Sequence, residues 1–216
     1  MAKQFFRITG DAVELVTERV ERTVSLHDLL AEVTREAGFT TPILPAGCRL
    51  YRQQGERSVF VIEQMPAVRT LNWRGMGEGD KWKLGFPYVI FVISFSGGAV
   101  STAHVFYRTS PLGNGDDALC RTNLCNVYTD AHICTGNMRV EGHSAAQKAE
   151  SFVAGFWGSV FNTDLWDNNF RPAAAIFPQV ANLAAWQAAT EQNPLFPLGV
   201  QWLEFGSLTD VVEGRA

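Results

Sequence analysis

The chain has 216 residues and a formal net charge of −4, with 46% hydrophobic and 12% aromatic residues. That length suits one sizeable core, because single cores stop growing near about 250–300 residues, and the aromatic content excludes disorder as the main state. The mild acidic balance lacks the clustered Lys and Arg of a phosphate-binding surface, so no nucleic-acid partner is expected.

Residues 5–24 read as two short strands around Gly10-Asp11, a hairpin turn. Ser25-Leu-His-Asp28 follows as a capping arrangement; Leu26, Leu29, Leu30 and Val33 share one helical face, and Gly38 ends the helix. From Cys48 to Arg108 the period becomes that of strands, with 58–63 and 69–73 as candidates. Residues 86–95 and 99–108 flank Ser96-Gly97-Gly98, whose glycines suit the positive φ of a tight turn. The unbroken apolar run in the first arm predicts a central strand covered on both faces.

Residues 109–143 are irregular and hold three of the four cysteines. A loop that long in a compact domain is usually functional. Ser144-Ala-Ala-Gln147 is a capping box, and Ala149, Phe152, Val153, Phe156, Trp157 and Val160 form an apolar helical stripe. A further helix is expected over 180–192 and a last strand over 200–205. No linker or repeat interrupts the chain, so 1–216 reads as a single domain. Within it, 1–85 is a divergent N-terminal portion, 86–165 a core with the long loop, and 166–216 a C-terminal helix and tail.

The start, Met1-Ala-Lys-Gln-Phe-Phe-Arg, lacks the apolar core of a signal peptide. The longest apolar run, 88–95, falls far short of the roughly 20 residues of a membrane helix. No membrane partner and a cytoplasmic location are therefore expected. Cys48, Cys120, Cys125 and Cys134 are too sparse for a disulfide scaffold and read as free thiols.

The informative stretch is Asn126-Val-Tyr-Thr-Asp-Ala-His-Ile-Cys134. It resembles the active-site segment of ubiquitin-conjugating enzymes, which reads His-Pro-Asn-Val-Tyr, a variable residue, Asp-Gly, a variable residue, Ile-Cys. Asn126, Val127, Tyr128, Asp130, Ile133 and Cys134 fall in register without a gap. Leu124-Cys125 stands where that family has His-Pro, and Ala131 where it has glycine. The ending Cys134-Thr-Gly136-Asn137 is closer to divergent prokaryotic relatives such as PRTRC system protein B, which occur beside a ThiF-like activating enzyme and a small ubiquitin-like protein. The resemblance covers residues 86–165 and implies an α+β fold, an antiparallel β-meander with flanking helices. It also implies a ubiquitin-like protein, a ThiF-like activating enzyme and a protein substrate as partners, and no cofactor.

Under that resemblance Cys134 is the nucleophile, because a thiol can take an acyl group from another thioester. The Asn126 amide is placed to donate to the oxyanion formed on amine attack. Asp130 is expected to orient an incoming lysine and help remove its proton. Tyr128, Gly136 and Asn137 are supporting residues, with Tyr128 a loop packing anchor and His132 facing solvent. Each has a plainer reading: Cys134 as a small hydrophobe, Asn126 and Asp130 as turn residues bonding their own backbone. The protein as a whole has one too, as a non-catalytic relative that binds a ubiquitin-like protein or scaffolds an assembly.

Other chemistries fit less well. Cys120, Cys125, His132, Cys134 and His143 lack the close ligand pairs of structural zinc sites, so no metal is expected. A Cys–His hydrolase would need His104 or His143 oriented on the thiol. No Walker loop, dinucleotide fingerprint or His-Glu-x-x-His is present.

Overall fold

The structure is a computed structural model that describes residues 3–9, 12–18, 43–75 and 81–215. The chain divides into two units, 1–42 and 43–216. In the first, β1 (Lys3–Thr9) and β2 (Ala12–Glu18) pair antiparallel with Thr9 opposite Ala12, and the expected turn at Gly10-Asp11 lies outside the described residues. The helix expected over 25–38 lies outside the described residues.

The second unit is built on an antiparallel sheet of six strands. These are β3 (Cys48–Gln54), β4 (Arg57–Gln64), β7 (Tyr88–Ser96), β8 (Ala99–Arg108), β9 (Ala118–Cys120) and β11 (Glu204–Ser207), in the order β11-β9-β8-β7-β4-β3. Gly97 and Gly98 turn the β7–β8 hairpin at φ 57° and 78°, as expected. A smaller sheet contains β5 (Ala67–Trp73), β6 (Lys81–Phe86) and β10 (Val160–Phe161), with β10 parallel to β5. The first hairpin arm was expected to begin at Phe86. It begins at Tyr88, because Pro87 has no N–H for the ladder, and Phe86 ends β6 in the smaller sheet.

Strand β7 is covered on both faces. Phe91, Ile93 and Phe95 enter one apolar cluster; Ile90 and Val92 enter a second with Phe106 and Leu208. Helix α1 (Ala145–Gly158) covers the first cluster. Its capping box is complete: the Ser144 hydroxyl accepts from the Gln147 N–H at 3.2 Å, and the Gln147 side chain accepts from the Ser144 N–H at 3.2 Å. Phe152 and Phe156 are buried and Trp157 half-buried. Phe91 meets Phe156 edge-on at 5.3 Å, and Phe86 meets Trp157 at 5.1 Å, geometries worth about 0.5–1.5 kcal/mol beyond area burial. Val160 does not extend the stripe. The backbone turns extended at Ser159, and Val160 pairs with Asn72 at 45% exposure.

Beyond it lie α2 (Phe170–Ile176), α3 (Leu183–Gln192) and α4 (Leu208–Glu213). The expected start at Val180 belongs to a separate 3₁₀ turn, and Asn182 caps α3 by accepting from the Ala185 N–H. The Gly85 N–H donates to the Thr190 hydroxyl at 2.8 Å, while the Trp186 indole donates to the Gly85 carbonyl at 2.9 Å. Helix α3 thus satisfies backbone groups on the open edge of β6, the edge away from β5. The last strand is β11, displaced from the expected 200–205. Among the described residues no helix is long and apolar enough to cross a membrane.

Candidate active site

Residues 126–134 form a tight hairpin against β8. The Tyr128 N–H donates to the His132 carbonyl at 2.8 Å, and the Cys134 N–H donates to the Asn126 carbonyl at 2.9 Å. Thr129, Asp130 and Ala131 form the three-residue loop, closed by the Ala131 N–H on the Tyr128 carbonyl at 2.9 Å. Such loops place their third residue in the left-handed region. Ala131 sits there, at φ 64°, where ubiquitin-conjugating enzymes have glycine. An alanine in that conformation costs about 1–2 kcal/mol; burial of Ala131 in the second apolar cluster offsets part of it.

Register explains the spacing. An asparagine and a cysteine eight positions apart become neighbours across this hairpin. Val127 and Ile133, each 1% exposed, point into the main core and anchor both arms. The return arm joins the sheet: the Ile133 N–H donates to the Ala103 carbonyl at 2.8 Å, and the Ala131 carbonyl accepts from the Val105 N–H at 3.1 Å. Leu124 and Cys125, which stand where the resemblance has His-Pro, are buried in that core.

Cys134 is half-buried on the wall of an open groove of about 670 Å³. Asn126, Gly136, Asn137, Ser159 and Asp164 also line it. The Asn126 amide donates to the Ser159 hydroxyl at 3.3 Å and to the Val160 carbonyl at 3.4 Å, so it bridges the hairpin to the end of α1. Gly136, at φ 48°, and Asn137 turn the chain after the cysteine, with the Met138 N–H on the Thr135 carbonyl. These residues come together as expected.

Asp130 does not line this groove. Its carboxylate accepts from the His132 N–H at 3.1 Å, the turn-residue role. The acid on the groove wall is Asp164, whose carboxylate accepts from the Asn162 amide at 2.8 Å. Nothing in the local pattern marked Asp164, because it arrives from beyond α1.

Tyr128 is not a packing anchor. It is 41% exposed, and its hydroxyl donates to the Cys134 sulfur at 3.8 Å. That bond first, and Coulombic repulsion from the same sulfur second, raise the Tyr128 pKa. His132 is half-buried rather than solvent-facing: its ring meets His104 at 5.1 Å, because the two residues are cross-strand partners. Burial first, and His132 second, lower the His104 pKa.

The other thiols are poorer candidates. Burial raises the pKa of Cys48 and of Cys120, and Cys125 is 4% exposed in the core. Neither His104 nor His143 bonds the Cys134 thiol, whose side-chain partner is Tyr128. Among the described residues, no three His, Cys, Asp or Glu side chains converge as a metal-holding group.

A family model described as prokaryotic E2 family D matches residues 51–196, more than half of the chain. No curated protein and no solved structure matches it.

Proposed function

Because the chain belongs to prokaryotic E2 family D, we propose that it carries a ubiquitin-like modifier as a thioester on Cys134 and delivers it to an amine. The observation that carries this reading is the half-exposed Cys134 thiol beside Asn126 in an open groove. A ThiF-like activating enzyme supplies the modifier and a protein lysine receives it.

In the first step the Cys134 thiolate attacks the carbonyl of the modifier thioester on the activating enzyme. A carbon–sulfur bond to Cys134 forms, the one to the donor sulfur breaks, and the Cys134 proton ends on the departing thiolate. In the second, an amine nitrogen attacks the same carbonyl, and an oxyanion gathers next to the Asn126 amide. The amide bond forms, the carbon–sulfur bond to Cys134 breaks, and the amine's proton passes by way of an acidic residue's carboxylate on the groove wall to the leaving thiolate. Asp164 is that acid. Tyr128 donates to the sulfur as it gains charge in leaving. Among the described residues no strong general base touches the thiol, which suits a thioester that must resist water and yield to amines.

Asp164→Asn is expected to slow transfer to a lysine by about 10- to 100-fold with charging unchanged. Asp130→Asn keeps the oxygen that closes the turn and changes transfer by less than about twofold. Single-turnover discharge of preloaded protein onto free lysine measures both.

The function itself is tested by charging with a cognate activating enzyme, modifier and ATP. The wild type gains an adduct that thiol reductants remove, while Cys134→Ser gains at most a reductant-resistant ester. Cys48→Ala and Cys120→Ala leave charging intact. If the modifier binds but never charges the wild type, the protein is a non-catalytic binder or scaffold.

A further inference from the structure

We propose that Asn169 is the positioning residue that sets the Cys134 hairpin and, through Tyr128, the reactivity of the thiol. Asn169 is buried at 5% exposure and occupies the N-cap position of α2. An asparagine there ordinarily turns its side-chain oxygen onto the first helical turn, a bond worth about 1 kcal/mol. Asn169 makes no such cap bond. Its amide nitrogen donates to the Val127 carbonyl at 2.7 Å and to the Tyr128 carbonyl at 3.0 Å.

Those two carbonyls lie on the outbound arm of the hairpin. The return arm is secured to β8 through Ala131 and Ile133. A side-chain amide offers two N–H donors, so one residue satisfies two consecutive backbone acceptors. The hairpin is therefore held at both edges. The Tyr128 ring is too exposed to be fixed by packing, so the position of its hydroxyl over the Cys134 sulfur depends on its backbone. Loss of the Asn169 amide leaves the Tyr128 carbonyl on the Ala131 N–H alone, which loosens that backbone and with it the bond to sulfur.

This assignment rests on Cys134 being the reactive thiol, yet its test needs no modifier. The rate of Cys134 alkylation by iodoacetamide is followed by peptide mass spectrometry in wild type, Asn169→Ala, Tyr128→Phe and the double variant. Tyr128→Phe should slow alkylation by about fivefold, the size expected of one hydrogen bond to a charged partner after offset by the freer sulfur's nucleophilicity. Asn169→Ala should slow it by a similar factor. The double variant should be no slower than Tyr128→Phe alone, because both changes remove the same contact. A purely structural Asn169 would instead slow the reaction equally in both backgrounds, and that result overturns the proposal. So does a Tyr128→Phe rate equal to wild type. Should Asn169→Ala fail to fold, hydrogen exchange in the wild type decides. Both side-chain amide protons of Asn169 should be strongly protected, and exchange at the rate of a free amide overturns the assignment. Failure of charging with an intact alkylation cycle would remove the conjugation reading alone.

Discussion

Asn126→Ala should leave charging of Cys134 intact while slowing transfer to an amine by about 100-fold or more. The separation follows from where charge develops. Charging can draw on donors of the activating enzyme, whereas amine attack leaves an oxyanion beside Cys134 alone. In the resting protein the amide donates to Ser159 and Val160 over 3.3 and 3.4 Å, both long bonds. Leaving them costs about 1 kcal/mol in all, less than the roughly 3–4 kcal/mol that an oxyanion donor returns in the transition state. Preloaded protein mixed with excess lysine, followed by loss of the thioester with time, measures the effect. Equal slowing of charging and transfer would make Asn126 a structural bridge to α1.

Phe156→Ala should destabilise the protein by about 3–5 kcal/mol, the cost of emptying a closed aromatic site. Phe156 is 1% exposed and meets Phe91, Trp157 and Phe161 edge-on between 5.1 and 5.5 Å. Its carbonyl also accepts from the Ser159 hydroxyl at 2.7 Å, and Ser159 holds the Asn126 amide. Thermal unfolding should move down by roughly 6–20 °C, since each kcal/mol shifts a domain of this size by about 2–4 °C. A shift under about 3 °C would mean that the cluster repacks freely.

What the sequence made legible was local. The β7–β8 hairpin and the capping box of α1 each rest on residues within a few positions of one another, so their patterns survive in one dimension. The Asn126–Cys134 spacing was legible for the same reason, since a hairpin converts a fixed separation into contact. Pro87 shows the limit: the apolar run crosses it, but the missing N–H sends Phe86 to another sheet. Strand β10 and the short helices α2 and α4 gain their stability from distant partners and carry no periodicity of their own. Asp164 and Asn169 were invisible because each reaches the hairpin only after α1 has returned the chain to it. Tyr128 was misjudged because an aromatic in a loop suggests packing, while this one sits on the exposed face of a hairpin arm whose neighbour Val127 takes the core. His132 was misjudged because its partner, His104, becomes a neighbour only when the return arm joins β8.

The most direct measurement is the intact mass of the wild type and of Cys134→Ala after incubation with a cognate activating enzyme, the modifier and ATP. A thioester on Cys134 predicts that the wild type gains the mass of one modifier less one water, that a thiol reductant removes it, and that Cys134→Ala gains nothing. The same reductant-sensitive gain on Cys134→Ala would contradict the account.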